Sequence, residues 1–306
     1  MERRADTVIV HRRTAITILC AGILFTRLIS LSALDPGRIQ GAERWFMVIS
    51  DVHISNDSSK LDRLADLVSQ INDGKYSKVE FLVITGDCVS SFLENREEEL
   101  LDPVNNRVLK LMNVLEKLGK PFYLVMGNHE YKIDRQKDSD SPFSKSEIDT
   151  IEVLWRQFTS FEPYYSFDSN GMKFLVLNSM RGRPHGRPFD DDQVAWLRSE
   201  LSGGEPVILF FHHPVRTDHL RIWAKKKDMV TVENEPAFME LMQQHSQQIR
   251  GIFVGHGHLW VNDVLYDRIP VYETDSFGDN PKVIGYMVGL DTSGKMITEV
   301  RKLIQN

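Results

Sequence analysis

The chain has 306 residues, 42% hydrophobic and 26% charged, an ordinary globular composition long enough to bury a large core. Its net charge is −6 with both signs spread along the sequence, so it lacks the basic domain or stripe that marks a nucleic-acid-binding protein. Two cysteines, Cys20 and Cys88, make no disulfide framework.

Residues 1–13 carry Arg3, Arg4, Arg12 and Arg13, and an apolar run from Ala15 to Phe25 follows. Asp35-Pro36-Gly37 ends any helix there. A basic stretch ahead of a short apolar one is the layout of an export signal or a retained signal-anchor. The segment approaches the roughly 20 apolar residues of a bilayer span only by tolerating Arg27. Arg12-Arg13-Thr14-Ala15-Ile16 loosely matches a twin-arginine signal, whereas Leu19 ahead of Cys20 argues against a lipoprotein signal. We expect residues 1–40 to be an export signal or membrane anchor. Residues 41–306 then form one domain outside the cytoplasm, with any membrane association through the N-terminal segment.

Trp45 to Ile49 reads as a strand that delivers Asp51 and His53 into a turn. Leu61, Leu64, Ala65, Leu67, Val68 and Ile71 recur at helical spacing, and Asp73-Gly74 stops that helix. Val79 to Ile84 is an apolar strand running into Thr85-Gly86-Asp87. Val108, Leu111, Met112, Leu115 and Leu118 mark a second helix, and Phe122 to Met126 is a strand ending in Gly127-Asn128-His129-Glu130. Strands apolar on both faces, alternating with helices, predict a sheet covered by helices on both sides, with ligand sites at strand C-terminal ends.

Residues 132–149 and 215–232 read as polar surface insertions. Tyr164 to Phe167 and Met172 to Leu177 form a hairpin around Ser169-Asn170-Gly171. Gln193 to Leu201 and Pro236 to Gln244 are helical. Val207 to Phe211 is a strand ending in His212-His213-Pro214, and Ile252 to Val254 a strand ending in Gly255-His256-Gly257-His258. Strands dominate thereafter, at Trp260 to Leu265, Val271 to Thr274, Val283 to Leu290 and Met296 to Val300. The whole reads as one domain of two sheets packed face to face with helices outside.

Six of the ten histidines follow apolar strands directly: His53, His129, His212, His213, His256 and His258. One such histidine is best explained as a packing or surface residue. Six, beside Asp51, Asp87 and Asn128, are not, because buried imidazoles and carboxylates destabilise a fold unless paired or metal-bound. Imidazole with carboxylate suits manganese, iron or zinc. Asp51, His53, Asp87, Asn128, His212, His256 and His258 are candidate ligands enough for two divalent ions with positions left open. Paired ions about 3.5–4 Å apart clamp the attacking and leaving oxygens of a phosphoryl displacement.

Ser50-Asp51-Val52-His53, Gly86-Asp87, Gly127-Asn128-His129-Glu130, His212-His213 and Gly255-His256-Gly257-His258 resemble, in order, the motif set of the calcineurin-like metallophosphoesterases. The likeness spans residues 46–260. It implies a four-layer α/β/β/α sandwich of two mixed sheets flanked by helices. It implies Asp51, His53 and His258 on one ion, Asn128, His212 and His256 on the other, and Asp87 bridging. It also implies a phosphoester substrate, mono- or diester, attacked by a metal-bound hydroxide, with His129 as the non-ligand catalytic histidine and Glu130 orienting it. Asn128, His129 and His213 are expected to touch substrate.

Purple acid phosphatases carry a tyrosine where Ser90 stands, and Ser/Thr phosphatases of the superfamily an arginine in the loop 88–92 that is missing here. Leu177-Asn178-Ser179 followed by Gly182, Gly186 and Gln193-Val194-Ala195-Trp196-Leu197 is more similar to bacterial class III cyclic-nucleotide phosphodiesterases and their broad-specificity relatives. Arg181, Arg183 and Arg187 lie in that glycine-bearing loop, and Arg181 is the candidate for a phosphate contact. The alternative is a non-catalytic metal- or phosphate-binding protein, or a membrane-tethered scaffold, of the same fold.

Overall fold

The computed structural model describes residues 44–92, 102, 104–132, 143–217, 235–291 and 293–305. The chain divides into Met1–Ile39 and Gln40–Asn306, and the first unit, with the expected export signal or anchor, lies outside the described residues. So does most of each polar insertion. Among the described residues no helix is long and apolar enough to cross a membrane.

The elements in chain order are β1 (Arg44–Ile49), α1 (Ser59–Asn72), β2 (Val79–Ile84), α2 (Arg107–Leu115), β3 (Phe122–Leu124), α3 (Lys145–Thr159), β4 (Tyr165–Ser169), β5 (Met172–Val176), α4 (Asp191–Leu201), β6 (Val207–Phe210), α5 (Pro236–Gln244), β7 (Ile249–Val254), β8 (Val261–Leu265), β9 (Ile269–Glu273), β10 (Val283–Leu290) and β11 (Ile297–Ile304). They form two mixed sheets, β11-β10-β1-β2-β3 and β4-β5-β6-β7-β9-β8. β1, β2 and β3 run parallel in the first, and β5, β6, β7 and β9 run parallel in the second.

The period-2 alternation of each strand sorts its side chains into three hydrophobic layers. From β1, Phe46 and Val48 enter the layer between the sheets, while Met47 and Ile49 face the layer shared with α1, α2 and α3. From β6, Ile208 and Phe210 enter the middle layer, while Val207 and Leu209 face α4 and α5. The middle is dense in aromatics: Phe46 stacks on Phe81 at 5.0 Å and meets Phe174 edge-on at 5.6 Å. This is the expected α/β/β/α sandwich.

Two expectations are corrected. Among the described residues neither sheet has helices on both sides; each has helices on one face and the other sheet on its second face. A strand apolar on both faces is buried equally well by either partner, so composition alone does not separate them. The stretch after residue 143 is also more than surface insertion, because α3 buries Ile148, Ile151 and Trp155 against the first sheet. Its signals were local. Ser144 and Glu147 make a reciprocal capping box, and the three apolar residues share one helical face.

Candidate metal centre

Every candidate ligand leaves the C-terminal end of a parallel strand. Asp51 and His53 follow β1, Asp87 follows β2, Asn128 follows β3, His212 follows β6, and His256 and His258 follow β7. β1, β2 and β3 are neighbours in one sheet and β6 and β7 in the other, so two sheets present their donors at one shared edge. The backbone bends sharply to do so. Asp51, His53, Asp87, His256 and His258 all adopt φ between 49° and 73°, a left-handed conformation uncommon for non-glycine residues and concentrated at functional sites. Gly86 has φ +94°, and a Cβ there would lie 2.7 Å from His212 Cγ. A Cβ on Gly127 would collide with the Asp87 carboxylate. Both glycines are therefore required for close approach.

The donor atoms converge in three overlapping groups: Asp51, His53 and His258; His53, Asp87 and His129; and Asp87, His212 and His256. His258 Nε2 is 3.1 Å from Asp51 Oδ1 and 3.3 Å from His53 Nε2. His212 Nε2 is 3.1 Å from both Asp87 Oδ2 and Asn128 Oδ1, and His256 Nδ1 is also 3.1 Å from Asn128 Oδ1. Asp87 Oδ2 reaches the other side, 3.9 Å from His53 Nε2. His212 Nδ1 donates to the Thr85 carbonyl at 2.9 Å, which leaves Nε2 as the ring nitrogen aimed at the cluster.

The electrostatics fit a cation. Burial acts to raise the Asp87 carboxyl, but His212, His129 and His53 outweigh it and hold it well below the usual carboxylate range. Burial acts to lower His212, but Asp87 and Asp51 pull it up to about 9. His256 is pushed down to about 3 by burial and by His212. Two buried carboxylates thus draw positive charge toward a nest of imidazoles, which is the donor chemistry of a divalent metal site.

His129 lines the cleft above this cluster. Its Nδ1 donates to the Ser90 carbonyl at 2.6 Å, its backbone N–H donates to Asp87 Oδ1 at 2.9 Å, and its Nε2 is 4.0 Å from Asp87 Oδ2. Glu130 does not orient that ring. It is wholly buried, and its carboxylate accepts from the backbone N–H groups of Gly127 at 2.6 Å and of Asp87 and Val89 at 3.1 Å. It therefore fastens the loop after β2 to the loop after β3. Burial and Asp87 push Glu130 up to about 7. Glu130→Gln would turn an N–H donor toward at least one of these donors. We expect a loss of about 1–3 kcal/mol in denaturant unfolding at pH 8, and an unchanged midpoint would refute the fastening role.

Two expected substrate contacts sit elsewhere. Arg181 is held by Glu152 at 2.5 Å and Asp190 at 2.9 Å, over the Tyr164 ring, so its fork is occupied within the protein. Glu152 also accepts from Tyr131, and Asn178 donates to the Tyr131 hydroxyl at 2.6 Å. The Gln193 side chain pairs with the Asn178 backbone in both directions, at 2.7 and 2.9 Å, which gives the Asn178…Gln193 pattern a structural role. His213 is fully buried, with Nδ1 2.7 Å from Ser179 Oγ and its ring centroid 4.5 Å from that of His256. It supports the cluster from behind and does not line the cleft. Sequence reasoning missed Lys60 and Asp279, which do line it. The signal for Asp279 was present: Thr274-Asp275-Ser276 opens one more polar turn directly after an apolar parallel strand.

A family model described as calcineurin-like phosphoesterase matches residues 44–260. The chain therefore belongs to the calcineurin-like phosphoesterases. A search of the curated proteins finds no match. Among solved structures, a dimetal phosphatase from Danio rerio is similar, with 15% identity and a TM-score of 0.56 over 86% of this chain and 99% of that one. GAP50, the anchor in the inner membrane complex of Plasmodium, is similar with 13% identity and a TM-score of 0.50 over 86% of this chain and 90% of that one. At such identities these likenesses speak for the fold alone.

Proposed function

We propose that this protein hydrolyses phosphomonoesters or phosphodiesters with two divalent ions, manganese, iron or zinc. Asp51, His53 and His258 would hold one ion, Asn128, His212 and His256 the other, and Asp87 would serve both. The observation that carries the reading is the convergence of these seven side chains beneath an open cleft of about 440 Å³ that also contains His129. When bound, the ions supply an acidified water and positive charge for the phosphoryl oxygens. Asn128 and His129 bracket the phosphate. Because His129 gives its Nδ1–H to Ser90, Nε2 is the nitrogen left to carry a proton to the leaving oxygen, and burial, which lowers the pKa of this ring, makes it a readier acid once protonated. The N-terminal segment, read as an export signal or anchor, would put this chemistry outside the cytoplasm.

GAP50 is described as an anchor, and a shared fold does not by itself assign an activity, so the site has to carry the functional reading. A scaffold has no need of a complete set of strained donors around an open cleft. The deciding experiment is a panel of phosphomonoesters and phosphodiesters incubated with protein reconstituted with manganese, iron or zinc, beside metal analysis. We expect turnover that follows metal content and is lost on chelation. Two bound ions without turnover on any ester would favour the non-catalytic reading.

A further inference from the structure

Lys60 is the second residue of α1, at the end of the helix where backbone N–H groups already concentrate positive charge, an unfavourable place for a cation. It lines the cleft over the metal cluster, and among the described lining residues it is the one lysine or arginine. Its Nζ lies 2.5 Å from Asp279 Oδ1, a residue from the far end of the chain, and its side chain keeps 23% exposure.

The turn that carries Asp279 is built onto the ligand loop. Phe277 N–H donates to the Ser50 carbonyl at 2.9 Å. Gly278 N–H and Ser276 Oγ both donate to the Asp51 carbonyl at 2.9 Å. The Asp279 N–H in turn donates to Ser276 Oγ at 3.0 Å. A Cβ on Gly278 would collide with the Val52 carbonyl, so the two loops touch backbone to backbone. Asp279 Oδ2 then lies 3.6 Å from His258 Nδ1 and 3.8 Å from His53 Nε2. One carboxylate thus ties two candidate ligands to Lys60, and the ammonium is held at the cleft wall rather than swept into solvent.

We propose that Lys60 is a specificity-determining residue that contacts the phosphate of the substrate and favours dianionic phosphomonoesters over monoanionic diesters, with Asp279 as the residue that positions it. Charge supports the choice. Lys60 adds one positive charge to a cleft whose other described charged side chains are the carboxylates of Asp51, Asp87 and Asp279 and the imidazoles, and one added charge attracts a monoester dianion more strongly than a diester monoanion. The inference rests on the phosphoester reading above.

The test is calorimetric binding of inorganic phosphate to manganese-loaded protein at pH 8, with metal content measured on each sample. Lys60→Ala should keep its metals and weaken phosphate binding about tenfold or more, the loss of one charge-assisted hydrogen bond. Lys60→Arg should restore most of the affinity. Asp279→Asn keeps an oxygen that can accept from Lys60 and hold it in place, while it removes a competing negative charge, so it should bind phosphate at least as tightly as the parent. In turnover, Lys60→Ala should raise KM for p-nitrophenyl phosphate more than for bis(p-nitrophenyl) phosphate. Unchanged phosphate affinity in Lys60→Ala would overturn the proposal, and so would loss of a metal ion from it. Equal weakening in Lys60→Ala and Asp279→Asn would also overturn it, since Lys60 would then serve only to hold Asp279. Phosphate binding with the expected Lys60 dependence but no hydrolysis of any ester would overturn the phosphoester reading alone.

Discussion

Asp87→Asn is expected to lose bound metal and to abolish turnover while the fold survives. Asp87 is the one carboxylate shared by two of the converging donor groups. Its Oδ2 faces His212 Nε2 at 3.1 Å on one side and His53 Nε2 at 3.9 Å on the other. Its Oδ1 accepts from the His129 backbone at 2.9 Å, a bond that an asparagine oxygen can keep, so the loop after β2 stays in register. What the amide cannot supply is the negative charge that holds two cations together at close range. Changes in groups that only support metal ligands typically cost about 10–100-fold in metal affinity or activity, and losing a bridging carboxylate should exceed that. Metal analysis and turnover on the same preparation decide it. Two ions retained at full activity would remove Asp87 from the bridging position.

His129→Ala should separate metal binding from catalysis. His129 lies at the cleft, and its ring is set by the bond to Ser90 rather than by Glu130. If it protonates the leaving oxygen, the variant keeps both ions and slows by about 10²–10⁴, the usual contribution of a general acid. The loss should shrink on esters with good leaving groups such as p-nitrophenolate, which need little protonation. Equal loss on good and poor leaving groups would instead make His129 a phosphate-positioning group. Loss of an ion would make it a ligand, as its membership of a donor group with His53 and Asp87 allows.

Much of this protein was legible because the informative residues are adjacent in sequence to elements with a plain hydrophobic signature. β6 is a continuous apolar run, β1 is apolar after Arg44 and β2 is apolar apart from Glu80, and each leads directly into the residues that enter the site. Nothing beyond the period of the strand and the chemistry of Asp and His was needed to select Asp51, His53, Asp87 and His212. The bounds of α5 and β10 were legible for the same reason, with Pro236 opening the helix and an unbroken apolar stretch in the strand. α3 was missed although Ser144 and Glu147 announced its start, because the polar residues around it obscured the apolar face of Ile148, Ile151 and Trp155.

Other properties exist only between segments far apart in the chain. Arg181 looked free to meet phosphate, yet Glu152 and Asp190 take up its guanidinium, and neither partner is legible from the loop that contains it. Glu130 looked like a partner for its neighbour His129, yet three backbone N–H groups claim it. Lys60 and Asp279 are 219 residues apart and meet only because the turn after β9 is hydrogen-bonded to the loop after β1. The sequence by itself determined which donors the protein has and that they lie at strand ends, since hydrophobic period and ligand chemistry are local. The tertiary structure alone decided which charges are neutralised within the protein and which face the cleft, since a charge is neutralised by whatever packs beside it, however distant along the chain.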